Sequence, residues 1–290
     1  MTKPPIEELA SRLPRIDEGL IREHVERLPE RYFELFDAET VCSHLEALAG
    51  LAPAKPVEVL LSVLGAGRVE ITVLAFDYPG EFSLITGLLA ASGFNILAGD
   101  VFTYAAAAAQ AGRRPRPGRR AAPDPLRRRR IIDHFAGSIA ERTPLELWAH
   151  TLRRRFVEAL ALLERGDEAS AGAARQRINE LVAERLASLD LPAQAVLYPV
   201  EIQVREQEDG RTVLRVVAQD TPAFLYALST ALALRGIFID HIRIRTAHNR
   251  IEDEFSFLDA QGRPIASALL LDQVRLTVCE TIGGATAARR

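Results

Sequence analysis

Lysine is almost missing from this chain: of its 36 basic residues only Lys3 and Lys55 are lysine, and the rest are arginine. Such a bias follows genome composition as readily as function, so arginine content alone argues for no anionic partner. Sulfur is scarce too, with two cysteines and one methionine. Cys42 and Cys279 fall in expected helices far apart in the chain and form no ligand spacing, which excludes a cysteine-built metal site and favours buried free thiols over a disulfide. No apolar run approaches a membrane span, and the opening MTKPPIEELASRLPR resembles no signal or transit segment. A cytoplasmic protein without a membrane partner is expected.

Catalytic signatures are absent as well. The six histidines (His24, His44, His134, His150, His241, His248) include no H-E-x-x-H, and Asp133-His134 and Asp240-His241 reverse the His-Asp doublet of a metal phosphohydrolase. They read as strand or surface histidines. No Gly-Ser is followed by the Asp-x-Asp pair that metal-assisted nucleotidyl transfer needs. Gly65-Ala66-Gly67-Arg68 lacks the third glycine and the Lys-Ser/Thr of a phosphate loop, and a strand follows it, so it reads as a hairpin turn. The expectation is no catalytic residue, no metal and no cofactor: a chain that is not an enzyme by itself.

What is present is a repeat. Val69 to Thr103 alternates through Ala75, breaks at Asp77-Tyr78-Pro79-Gly80, runs at helical spacing through Phe82, Ile85, Leu88 and Leu89, and restarts as a strand after Gly93. Pro56 to Thr103 then aligns without a gap on Pro199 to Thr246, matching Asp77 with Asp220, Pro79 with Pro222, Gly93 with Gly236 and Ile96 with Ile239. The apolar phase slips in both copies of the strand after the helix, which predicts a bulge at one shared place. With a leading strand from Val57 and a following strand, IIDHF in the first copy and the segment from Ile251 in the second, each copy reads β-β-α-β-β-α. The fold class is α+β, two ferredoxin-like sandwiches in 290 residues.

Around them, residues 1–52 form a helical segment punctuated by Pro14 and Pro29, 56–165 the first repeat, 166–197 a helical connector and 198–283 the second repeat. Thr143-Pro144-Leu145-Glu146 has the spacing of a capping box and opens a helix whose expected buried face is Leu147, Leu152, Phe156, Leu160 and Leu163. Ala171 to Leu189 is a second helix.

Two stretches are candidates for function. Asp77, Tyr78, Pro79, Gly80 and Glu81 form a turn at a helix start, where backbone N–H groups attract carboxylates and glycine admits a close ligand; Asn95, opening the next strand, faces the same spot. The competing reading is that Asp77 and Asp220 only cap their helices, with Pro79 and Pro222 in the first turn. Ala105 to Arg130 carries nine arginines against one aspartate with no apolar periodicity, and reads as a disordered insertion; nucleic-acid binding through phosphates is the alternative.

These residues resemble ACT domains, small-molecule-sensing modules of amino-acid metabolism: FDYPGEFSLITGLLAASGFNI is similar to that family's D-x-P-G turn, helix and G-hydrophobic-N-I strand start. The pair of repeats, with HVERLPERYFELFDAETVCSHLEAL ahead of it, resembles the tandem closing the bifunctional uridylyltransferase/uridylyl-removing enzymes of PII nitrogen signalling. The resemblance implies a regulatory module binding an amino acid, with glutamine as the ligand, and as partners a PII-type signal protein or a regulator of glutamine synthetase, or a second copy of the chain. It also admits a piece of a nucleotidyltransferase whose catalytic domain lies elsewhere. Because Ala223 replaces the turn glycine and Phe238 replaces Asn95 in the second copy, the first repeat is the expected binding one.

Overall fold

Proline and aspartate set the limits of the first helices. In the computed structural model, which describes residues 3–65, 67–105, 129–140, 143–189, 201–206, 212–221, 223–248, 250–258 and positions 272, 274, 276 and 277, the chain opens with α1 (Ile6–Arg12), α2 (Glu18–Arg27), α3 (Glu30–Leu35) and α4 (Ala38–Ala49). Pro14 follows α1, Pro29 precedes α3, and Asp17 and Asp37 cap α2 and α4 by accepting from Leu20 N–H and Thr40 N–H.

The remaining elements are β1 (Val57–Gly65), β2 (Arg68–Phe76), α5 (Glu81–Ala91), β3 (Asn95–Thr103), β4 (Arg130–Ser138), α6 (Leu145–Glu164), α7 (Glu168–Ala187), β5 (Glu201–Glu206), β6 (Thr212–Gln219), α8 (Phe224–Ala233), β7 (Phe238–Ala247) and β8 (Arg250–Leu258). The class is α+β, as the periodicities predict. The eight strands among the described residues join one antiparallel sheet in the order β1-β2-β4-β3-β7-β8-β6-β5, so its two halves repeat each other in reverse. They meet where β3 pairs with β7, Ala98 opposite Arg245 and Phe102 opposite His241. An edge that either half would leave unpaired is thereby covered. The predicted bulge is there twice, between Ile96 and Ala98 and between Ile239 and His241.

The two sheet faces are covered differently. Ile71, Val73, Val101, Ile131 and Phe135 pack under the helices α5 to α8, whereas Leu74, Phe102, Tyr104 and Ile132 point the other way, into a second core built by α1 to α4. β2 is therefore buried on both sides and loses the clean apolar–polar alternation that β8 keeps with Arg250 and Glu252 exposed. In that second core the reading of the histidines is corrected: His24 and His44 are buried, not at the surface. They form a chain in which Tyr104 OH lies 2.7 Å from His24 Nδ1, and Tyr32 OH lies 3.1 Å from His24 Nε2 and 2.7 Å from His44 Nδ1. Burial pushes His24 well below the ordinary histidine range and His44 down to about 4, each helped by a neighbouring histidine. Cys42 is free and half-buried on α4; Cys279 lies outside the described residues.

Two local expectations fail. α6 begins at Leu145 with Pro144 in the cap position and no side chain capping it, because proline sits where the box requires a hydroxyl-bearing residue. Leu147 is 64% exposed, and Trp148 turns inward in its place, donating its indole N–H to Ser92 O at 2.8 Å. A buried Trp must satisfy its N–H, and α5's last turn offers a free carbonyl.

Candidate functional site

The turn before α5 is held from three sides. Gly80 occupies the cap position at φ 82°, Glu81 N–H donates to Tyr78 O at 3.0 Å, and the buried Tyr78 donates its hydroxyl to Glu164 of α6 at 2.5 Å. Asp77 does not cap the helix, so the capping reading is overturned here: no side chain caps α5, and Pro79 lies before its first turn. Asp77 instead donates its N–H to Arg129 O at 3.0 Å, and its Oδ2 lies 2.9 Å from Arg129 Nε without the alignment of a hydrogen bond. In the second repeat Ala223 adopts the same left-handed conformation at φ 59°, again with no side-chain cap on α8; Pro222 is outside the described residues.

Each turn faces a pocket, and each pocket takes its opposite wall from the other repeat. A cavity of about 260 Å³ is lined by Asp77 to Ser83, Thr103 and Arg129 from the first half and by Ser229, Ala233 and Ile237 to Ile239 from the second. A second, of about 300 Å³, is lined by Asp220, Thr221, Ala223 to Tyr226, Thr246 and Asp253 from the second half and by Thr86, Ala90 and Gly93 to Ile96 from the first. Asp77, Tyr78, Pro79, Gly80 and Glu81 are thus brought together, but Asn95 is not with them. It lines the pocket of the second turn, and its counterpart Phe238 closes the pocket of the first. Pairing of β3 with β7 is the cause: it sets each strand start beside the partner's turn.

Beneath the turns lie carboxylates that form no ion pair among the described residues. Asp133 on β4 is 1% exposed and neither of its oxygens has a hydrogen-bond partner; Asp253, at the same place on β8, is 0% exposed and accepts Arg245 N–H at 3.1 Å with one oxygen while Oδ2 has none. Desolvation dominates both. It drives Asp133 well above the usual carboxylate range and Asp253 to about 7, with Asp77 and Asp220 respectively adding repulsion. Glu81 and Asp77 are also raised by burial, Asp77 against the opposing pull of Arg129.

With this geometry in view, the chain can be set beside known proteins. No family model matches it. It is 27% identical over 274 residues to the bifunctional uridylyltransferase/uridylyl-removing enzyme of Rhodospirillum rubrum, which covers 93% of this chain and 26% of the relative. The enzyme of the same description from Gluconobacter oxydans is 24% identical over 219 residues, 76% of this chain and 20% of that protein. The resemblance is to a piece of these enzymes. The chain spans about a quarter of one and a fifth of the other, so their activities are not thereby assigned to it.

Sequence reasoning missed Arg129. It belongs to the arginine-rich stretch, of which 106–128 lie outside the described residues, while Ala105, Arg129 and Arg130 lie within them and there correct the expected disorder. Ala105 N–H donates to Arg27 O, and Arg130, 4% exposed, opens β4 and lies 2.9 Å from Glu23 Oε2. Apolar spacing carries no sign of an arginine whose partners are acids brought close only by folding. Asp133 and Asp253 did leave a signal, as acids at equivalent positions of the two repeats, each set between an isoleucine two residues before and a phenylalanine two residues after. Among the described residues no cluster of ligating side chains could hold a metal ion, and no helix is long and apolar enough to cross a membrane.

Proposed function

We propose that this chain is a regulatory, amino-acid-sensing region of nitrogen metabolism, built from two ACT-like repeats and not catalytic by itself, with glutamine as its ligand. The observation that carries the reading is that both pockets are shared between the repeats, because a ligand bound there touches both halves and favours one packing of them over others. Pocket size supports a small ligand: about 260 and 300 Å³ lie at or below the roughly 300–1,000 Å³ of drug-sized sites. The chemistry supports a zwitterion. Carboxylates around the turns suit an ammonium, while arginine and an uncapped helix start suit a carboxylate. Similarity to a part of two uridylyltransferase/uridylyl-removing enzymes supports the nitrogen-regulatory setting, with a PII-type signal protein or a regulator of glutamine synthetase as the partner that reads the packing.

A thermal-shift series with the twenty L-amino acids tests it, since a ligand that binds only the folded state raises the melting temperature. Glutamine is expected to give the largest shift; no shift with any of them removes the sensing reading. The similarity to named enzymes keeps one alternative in play, transfer chemistry by this chain. Incubation with labelled UTP or ATP, Mg²⁺ and a PII-type protein is expected to leave the protein unlabelled, and incorporation of label would decide for the alternative.

A further inference from the structure

The two pockets share a plan but differ in their charges. In the pocket of the first turn the cationic position is already filled by the chain itself. Arg129 lines it, beside Asp77 at 2.9 Å and within 3.9 Å of Asp240 Oδ1. The buried acid of that half, Asp133, does not reach the cavity wall, and Phe238 closes the opposite side. In the pocket of the second turn the equivalent acid, Asp253, does line the cavity, with Oδ2 unpartnered and the side chain 0% exposed. Asp220 stands beside it. Neither carboxylate has an ion-pair partner among the described residues. Thr246 and Asn95 supply a hydroxyl and an amide, and Arg185 of α7 brings a guanidinium over Gly93 to the same wall.

We infer that the second-turn pocket is the one open to ligand and takes a small α-amino acid, its ammonium held by Asp253 and Asp220, its carboxylate by Arg185 and any side-chain amide by Asn95. This rests on the amino-acid-sensing reading and reverses which repeat supplies the binding turn. A buried carboxylate with a free oxygen facing a cavity is costly, and a cationic group delivered by a ligand offsets that cost. The methyl of Ala223 is no obstacle, since the turn keeps the left-handed backbone of Gly80. The first-turn pocket has no such vacancy because Arg129 supplies its cation.

Calorimetric titration of the full chain tests this, using L-glutamine and glutaramic acid, which is glutamine without its amino group. Wild type is expected to bind glutamine and to bind glutaramic acid at least tenfold more weakly. Asp253→Asn and Arg185→Met are each expected to weaken glutamine by tenfold or more while the melting transition stays cooperative. Wild-type affinity in Asp253→Asn, or equal affinity of wild type for the two probes, overturns the assignment, and loss of binding in Asp77→Asn alone would move the site to the first turn with the sensing function intact. If no L-amino acid binds wild type at all, the sensing reading itself falls. The probe pair decides the matter on wild-type protein should a variant fail to fold.

Discussion

Arg129 and Asp77 are joined across a chain excursion: the guanidinium of the residue just before β4 lies 2.9 Å from the carboxylate that opens the turn before α5. Asp240, the bulged residue of β7, lies on the other side of the same guanidinium at 3.9 Å, so one side chain ties the first turn to the second repeat. Arg129→Met should lower stability by about 1–3 kcal/mol, the usual result of stranding partly buried charge. The carboxylates it leaves, Asp77 and Glu81, are raised above their unfolded values, and their contribution is kept below the unfolded carboxylate range and lost as pH rises. The deficit measured by urea unfolding should therefore be larger at pH 8 than at pH 4. An equal deficit at both would mean the arginine acts through packing alone.

Ala223 holds a conformation that costs an L-residue about 1–2 kcal/mol, at φ 59°. Ala223→Gly should raise stability by up to about 1 kcal/mol, and Gly80→Ala, at φ 82°, should lower it by a similar amount or more. Space does not oppose the second change, since a Cβ at Gly80 meets only Ser83 Oγ at 4.0 Å. Thermal melts of the two variants should move in opposite directions.

Gly87 lets α5 lie close against α7 and α8. A Cβ there would stand 2.5 Å from Ile178 of α7 and 2.7 Å from Tyr226 of α8. Gly87→Ala should destabilise by about 1–3 kcal/mol through overpacking, despite alanine's better helix propensity. An increase in melting temperature would show that α5, α7 and α8 separate freely.

Tyr32 answers both buried histidines with one hydroxyl. Tyr32→Phe should cost about 1–3 kcal/mol by leaving ring nitrogens of His24 and His44 short of a partner. His44, lowered to about 4 in the fold, contributes stability that is complete above the unfolded histidine value and is lost as pH falls toward 4. His44→Gln, which cannot charge, should flatten the loss of stability between pH 6.5 and 4 seen in wild type.

Asp253 works in the opposite sense. Its folded value of about 7 stands above the unfolded 3.8, so its contribution is whole below 3.8 and disappears as pH rises through 7. Asp253→Asn should accordingly stabilise the unliganded protein at pH 8, with the gain shrinking toward pH 4. A destabilised variant at pH 8 would mean that the hydrogen bond from Arg245 N–H outweighs the cost of burying the charge.

The duplicated unit, its strand–turn–helix punctuation, the bulge shared by β3 and β7, and the turn from Asp77 to Glu81 are legible in the order of residues alone, because they follow from nearest-neighbour periodicity and from the special backbone of Gly and Pro. Which residues share a pocket is set by long-range packing. Asn95 is assigned to Ala223's turn, not Gly80's, because β3 pairs with β7, a contact between strands far apart in the chain whose partner the alternation of side chains does not name. The same holds for Arg129, which reads as one cation in a run of many until folding sets it between Asp77 and Asp240, and for His24 and His44, buried because α1 to α4 cover the sheet's second face. Local pattern fixes how each segment folds, while charge and hydrogen-bond partners are chosen by contacts distant in sequence.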